Sequence, residues 1–199
     1  MPYSRPATPE AALQRLLEGN RRFVAECPQA PAVSAERIEL AAGQKPYAVV
    51  IGCSDSRVPV ETIFDQHPGN LFVARLAGNI VSDYCIASAE YAITQLGSMI
   101  VVILGHTSCG AIQAAIAAVE SGQRFSGHIQ LLADALAPIA EATRGTPDWW
   151  QAAVEANVRA GKTRIIERSE IVRTAAESGT IRVAAAVYDL SSGLVKLLD

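Results

Sequence analysis

Two periods alternate along this sequence, and the alternation limits the folds open to it. Largely apolar runs of strand length occupy residues 47–51, 71–76, 99–104 and 182–190, and between them lie longer segments whose apolar residues recur at helical spacing. A strand-length run that is apolar on both faces marks a strand buried on both sides. Such strands, joined through helices, build a mostly parallel sheet wrapped by helices, so the expected fold class is α/β. Four parallel strands are expected, with a short edge strand over residues 194–198 beyond the Ser191-Ser192-Gly193 turn.

The helices carry their own punctuation. Thr8-Pro9-Glu10 supplies an N-cap, a first-turn proline and a first-turn acid, and Leu13, Leu16, Leu17 and Phe23 continue the period to about residue 25. A link containing Pro28 and Pro31 leads to a short helix from Ser34 to Gly43. Further helices are expected over residues 83–96 closed by Gly97, 109–121 closed by Gly122, 126–143, and 148–178 with a break near Ser169. No internal repeat or second linker interrupts the pattern. One domain over residues 1–199 is expected, with residues 1–30 forming an N-terminal helical arm able to pack on a neighbour.

Charge removes several functional classes. Seventeen basic and twenty acidic residues give a net charge of −3 with no basic block, so the positive footprint that nucleic acid requires is missing. No apolar run approaches the length that spans a bilayer. Residues 1–10 show no basic segment followed by an apolar one, so a cytoplasmic protein is expected. In that setting the four cysteines, at positions 27, 53, 85 and 109, are expected to be metal ligands, catalytic groups or small core residues.

Chemistry gathers at the carboxyl ends of two strands. Cys53-Ser54-Asp55-Ser56-Arg57 directly follows the first run. In extended backbone, residues 53, 55 and 57 project to one side, where open parallel sheets place their ligand crevices. Asp55 and Arg57 are spaced to pair at two points. Gly105-His106-Thr107-Ser108-Cys109-Gly110 follows the third run, with His106 and Cys109 three apart at a helix start and so able to share a face. Neighbouring first and third strands would bring Cys53, His106 and Cys109 together. Two sulfurs and an imidazole suit Zn²⁺, and three protein ligands leave a fourth tetrahedral position for water or for Asp55, the pattern of a catalytic zinc.

These two motifs, CSDSR at 53–57 and GHTSCG at 105–110, resemble the zinc motifs of the β-class carbonic anhydrases. The resemblance continues through Gly19-Asn20-Arg21-Arg22-Phe23, GNLFVAR at 69–75, Ala77-Gly78-Asn79, Glu90-Tyr91-Ala92 and Tyr188-Asp189-Leu190. It implies one Zn²⁺ per chain on Cys53, His106 and Cys109, and reversible hydration of CO₂ to bicarbonate and a proton by zinc-bound hydroxide. Asp55 and Arg57 would form a dyad that orients the hydroxide, and Asp55 released from Arg57 would occupy the metal instead. Gln44 stands at the interval of a substrate-binding glutamine. Phe72, Ala77 and Tyr91 match an apolar substrate pocket to which a partner subunit contributes, and Gly110 would bring a bare backbone N–H to the bound anion. Self-association to a dimer or tetramer is implied.

Some relatives form a bicarbonate pocket with a tryptophan three residues before the first zinc cysteine. Val50 occupies that place here, so no such pocket and an open, water-bound site at neutral pH are expected. Hydrolysis of carbonyl sulfide or carbon disulfide at the same zinc, and a non-catalytic zinc scaffold, are the competing readings. Leu76 departs from the family, which usually carries asparagine there. Ala160-Gly161-Lys162-Thr163 imitates the end of a phosphate-binding loop, but residue 156 is Ala and the segment has helical period, so it is read as helix. Trp149 and Trp150 are read as packing or interface residues and Cys27 and Cys85 as inert; His67 and His128 are weak candidates for a proton shuttle and are read in preference as surface histidines.

Overall fold

The computed structural model of the chain describes residues 5–29 and 40–198; the short helix expected from Ser34 lies largely outside them. The described elements are α1 Pro9–Val24, β1 Ala48–Gly52, α2 Val60–Ile63, β2 Leu71–Arg75, a 3₁₀ turn Ala77–Asn79, α3 Asp83–Thr94 and β3 Ile100–His106. They continue with α4 Gly110–Ser121, α5 Ile129–Ala142, α6 Trp149–Arg168, α7 Glu170–Glu177, β4 Arg182–Tyr188 and β5 Val195–Leu197. The strands lie in the order β2-β1-β3-β4-β5, the first four parallel and β5 antiparallel to β4. This is the expected α/β sheet with a short edge strand. β1 sits between β2 and β3, with Gly52 opposite both Arg75 and Leu104.

Strand alternation divides the core into two layers. Val49, Ile51 and Cys53 share one face with Val101, Ile103, Ala185 and Val187, under α3, α4, α5 and α6. Ala48, Val50, Ile100, Val102, Leu104, Ala184 and Ala186 face the other way, under α1 and α2. Cys53 thus continues the Val49-Ile51 face and points beneath the larger helical layer. α6 crosses that layer closely. A Cβ on Gly105 would meet Val158 Cγ2 at 2.4 Å, and one on Gly161 would meet Ile103 and Val81 at 3.0 Å. The Ala160–Thr163 segment is the interior of this helix, as its period implied.

Several boundaries follow the sequence signals. Thr8 Oγ1 accepts the Ala11 N–H, and Gly122 closes α4 at φ 69°. Ser169 divides α6 from α7 in extended conformation, its hydroxyl capping Val172 N–H at 3.0 Å. α2 and the 3₁₀ turn carried too few residues to show a period. His67, expected at the surface, is buried in the turn before β2, where its carbonyl accepts the Asn70 N–H. Among the described residues, no helix is long and apolar enough to cross a membrane.

α1, read as an arm, is fastened along one face to its own chain. Ala12, Leu13 and Leu16 are buried, and buried Asn20 donates to the Ile63 and Gly193 carbonyls while accepting the Val195 N–H. A Cβ on Gly19 would lie 1.8 Å from the Phe64 carbonyl oxygen, a backbone atom with little freedom to move. Gly19→Ala is therefore expected to destabilise the chain by about 2 kcal/mol net, although alanine favours a helix interior by about 1 kcal/mol. Scanning calorimetry should show Tm lower by roughly 4–8 °C.

Candidate metal centre

Three buried side chains converge at the carboxyl edge of the sheet. Cys53 follows the last residue of β1, His106 ends β3, and Cys109 caps the N-terminus of α4. Because β1 and β3 are parallel neighbours, residues 53 and 106–109 meet despite their separation in sequence. The two Sγ atoms and a His106 ring nitrogen all lie within 4.8 Å of one another. His106 and Cys109 do not share a helix face, as their spacing suggested. A tight strand-to-helix turn joins them, with Ser108 in the left-handed region at φ 57°. A non-glycine residue held there stores roughly 1–3 kcal/mol of strain, a feature that concentrates at functional sites.

The donor set fits a divalent metal on structural grounds. His106 is fully buried and its Nδ1 donates to the Thr107 carbonyl at 2.8 Å, so Nε2 carries a lone pair. That Nε2 has no hydrogen-bond partner among the described residues. Leaving such an acceptor unsatisfied in the interior costs about 1–3 kcal/mol. Hydrogen bonding from the Cys109 thiol, with lesser contributions from the Asp55 and Gly78 N–H groups, drives the Cys53 thiol down toward thiolate against its burial. Cys109 is pushed up by holding its proton toward Cys53 and by burial. The backbone donors are placed for this, Gly78 N–H at 3.3 Å and Asp55 N–H at 3.4 Å from Cys53 Sγ.

Asp55 and Arg57 pair at the rim. Arg57 Nε donates to Asp55 Oδ1 at 2.9 Å and Nη2 to Oδ2 at 2.7 Å, and the Arg57 backbone N–H adds a third bond to Oδ1 at 2.9 Å. That last contact is an Asx turn, closed further by Val58 N–H on the Asp55 carbonyl. The turn, not the strand alternation expected for residues 53, 55 and 57, folds Arg57 back onto Asp55. The hydrogen bonds to Arg57 hold the Asp55 carboxyl well below the usual carboxylate range, outweighing partial burial. Its Oδ2 stands 3.9 Å from His106 Nε2. Arg57 Nη2 also reaches the Ser108 carbonyl at 3.4 Å, tying the two motifs together.

This geometry agrees with what the chain resembles. The family model for carbonic anhydrase matches residues 48–195. The chain belongs to the β-class carbonic anhydrase family. It is 39% identical over 195 residues to carbonic anhydrase 2 of Mycobacterium tuberculosis, covering 96% of this chain and 93% of that one. It is 36% identical over 202 residues to the carbonic anhydrase of Mycolicibacterium smegmatis, covering 99% and 95%. Among solved structures, the β-carbonic anhydrase of Coccomyxa in complex with acetazolamide matches at TM-score 0.73 and 32% identity, over 94% of this chain and 86% of that one. One of two tetrameric β-carbonic anhydrases from Sordaria macrospora matches at TM-score 0.71 and 30% identity, over 81% and 85%.

The remaining residues expected from the carbonic anhydrase resemblance fall into two groups. Ala77 opens the 3₁₀ turn whose Gly78 touches Cys53, and Gly110 starts α4 beside Cys109, exposed and with open space around it. Phe72 lies opposite Val49, four residues and about 13 Å back along the strand from Cys53. Its ring packs on Tyr91 with centroids 6.0 Å apart, and Tyr91 is half exposed. Gln44 is exposed ahead of β1, at the opposite end of that strand from Cys53. A single chain thus brings Ala77 and Gly110 to the cluster and leaves Gln44, Phe72 and Tyr91 away from it.

Sequence reasoning missed the groups that hold the motif backbones. Arg75 Nε donates to the Cys53 carbonyl at 2.8 Å and Nη2 to the Asp55 carbonyl at 2.5 Å. Thr107 Oγ1 accepts the Leu190 N–H at 3.0 Å, fastening the His106 turn to the end of β4. Arg75 was the most legible of these, a charge ending an apolar strand that neighbours the first motif.

The sulfur pair predicts a proton count. With Cys53 favoured as thiolate and Cys109 holding its proton, metal uptake should release about one proton near neutral pH rather than two. Affinity should therefore rise about tenfold per pH unit, since deprotonating Cys109 becomes easier as pH increases. Calorimetric zinc titration in two buffers of different ionisation enthalpy, run about one pH unit below neutral so that metal-bound water stays protonated, reads that number; two protons there would show that Cys53 is not pre-ionised.

Proposed function

We propose that the chain catalyses reversible hydration of CO₂ to bicarbonate and a proton, with one zinc ion per chain held by Cys53, His106 and Cys109. The observation that carries this reading is the buried two-sulfur, one-imidazole cluster with a paired Asp55–Arg57 dyad at its rim. As in carbonic anhydrases generally, zinc supplies Lewis acidity that makes a hydroxide nucleophile accessible near neutral pH.

The chain's own groups then select the geometry of attack. Asp55 remains ionised and acceptor-only because Arg57 engages both its oxygens. It accepts a hydrogen bond from the attacking oxygen and turns that oxygen's lone pair toward carbon, so orientation is set before reaction. Release of Asp55 from Arg57 would let the carboxylate approach the metal position and block it. Gly110, at the N-terminus of α4, offers a backbone N–H and the positive end of the helix dipole to the anionic product. Ala77 supplies a small apolar wall beside Cys53.

Gln44, Phe72 and Tyr91 act in the site of a second copy on this reading, since one chain holds them away from its own cluster. The tetrameric relatives from Sordaria macrospora support a self-associating enzyme. The cavity a single chain offers beside the His106 turn, about 430 Å³ with Thr107, Ser108, Trp150, Asp148, Glu155 and Asp189 in its wall, is rich in carboxylates and suits CO₂ poorly.

Stopped-flow CO₂ hydration with a pH indicator, on protein of assayed zinc content, tests the assignment. Cys53→Ala is expected to lose both zinc and activity. Asp55→Asn is expected to keep zinc and lose about 100-fold or more in kcat/KM, the scale of a lost orienting contact at the reacting oxygen. Wild-type inactivity with one zinc per chain would overturn the assignment. Specific activity is also expected to fall on dilution, in step with dissociation followed by sedimentation; full activity in the monomer would remove Gln44, Phe72 and Tyr91 from the site.

A further inference from the structure

We infer that α6 is a positioning element for the metal centre, holding the backbone behind both sulfur ligands through Trp150 and Asn157. The inference rests on the zinc reading above. The two residues are seven apart, about two turns, and so lie on one face of the helix. Trp150 Nε1 donates to the Cys109 carbonyl at 3.1 Å, the same oxygen that accepts the Gln113 N–H as α4 begins. Asn157, buried, donates through Nδ2 to the Gly78 carbonyl at 2.8 Å. Gly78 in turn donates its N–H to Cys53 Sγ at 3.3 Å. Neither side chain touches a ligand atom. Each fixes the backbone that does.

The third ligand leans on the same face. Between Trp150 and Asn157 in sequence, Val154 presses toward Gly105, and Val158 follows directly; a Cβ on Gly105 would meet them at 3.5 and 2.4 Å. Gly105 immediately precedes His106. The segments that carry His106 and Cys109, and the Gly78 turn that touches Cys53, are thus backed by one face of one helix. The Gly78 contact is strict because that residue sits at φ 69°, where a Cβ would also meet Leu136 Cδ1 at 2.8 Å. Its N–H can be aimed at Cys53 only while the turn is held, and Asn157 holds it from the far side.

Two consequences separate positioning from plain packing. Removing an outer partner of a metal ligand typically costs 10–100-fold in affinity or activity. Moving an N–H off a thiolate also changes the electron density the sulfur gives to a bound metal, which cobalt reports directly. The test loads full-length wild type, Trp150→Phe, Asn157→Leu and Ile165→Val with zinc or with Co²⁺. Trp150→Phe keeps an aromatic ring and deletes the donor; Asn157→Leu keeps volume and deletes the donor. Ile165→Val is a packing control, a buried position of α6 two turns beyond Asn157.

Trp150→Phe and Asn157→Leu are each expected to lose zinc about 10–100-fold more readily in chelator competition and to shift the sulfur-to-cobalt charge-transfer bands. Ile165→Val is expected to lower Tm and move neither readout. If Asn157→Leu does not fold, Asn157→Ser, too short to reach Gly78, carries the same expectation. Wild-type zinc affinity and cobalt spectra in the folded Trp150 and Asn157 variants would overturn the inference and leave α6 a packing helix. A wild-type chain that takes up neither metal would instead overturn the zinc reading, and this inference with it.

Discussion

Two cysteine sulfurs and an imidazole nitrogen with no hydrogen-bond partner among the described residues are packed together in the interior of this chain, and much of the surrounding structure serves to hold them there. Each group is costly to bury without a partner. The protein meets part of that cost with backbone N–H groups aimed at Cys53 and with the Thr107 carbonyl on the far side of the imidazole. The balance, the unpartnered Nε2 beside two buried sulfurs, is what a divalent cation would relieve.

The sheet makes this convergence possible. Parallel strands deliver their carboxyl ends to one edge, and strand alternation sends Cys53 to the face that carries the larger helical layer. Exposure changes sharply over a few ångströms. His106 is fully buried, the Asp55 side chain is 17% exposed and the Arg57 side chain 55%. The three groups able to hold a metal are buried while the Asp55–Arg57 pair reaches the surface, so a small molecule meets the charged pair before the sulfur cluster. Arg75 and the turns around Asp55 and Ser108 keep that gradient steep by fixing the loops from their backbones.

Much of this arrangement was legible in residue order. The apolar runs marked the four parallel strands, and Thr8, Gly122 and Ser169 marked helix boundaries, because capping and left-handed closure depend on one or two neighbouring residues. The convergence of Cys53, His106 and Cys109 was legible because sulfur and imidazole at two strand ends have few structural uses. The local geometry was less so. The Asx turn that folds Arg57 onto Asp55 and the left-handed Ser108 between His106 and Cys109 are backbone choices for which extended or helical spacing stood as the simpler expectation. Trp150 was read as a packing or interface residue, and its N–H bond to Cys109 depends on a contact across forty-one residues.

The sequence by itself determined the fold class, the family and which side chains gather at the carboxyl edge of the sheet, because periodicity and side-chain chemistry are carried by the residues themselves. Tertiary structure alone decided which protons and lone pairs those side chains present. The order of β1 beside β3, the Gly78 N–H on Cys53 and the Asn157 contact behind it all join residues distant in the chain. Hydrogen bonding and burial act through space, and their partners are chosen only when the sheet register brings them within about 3 Å.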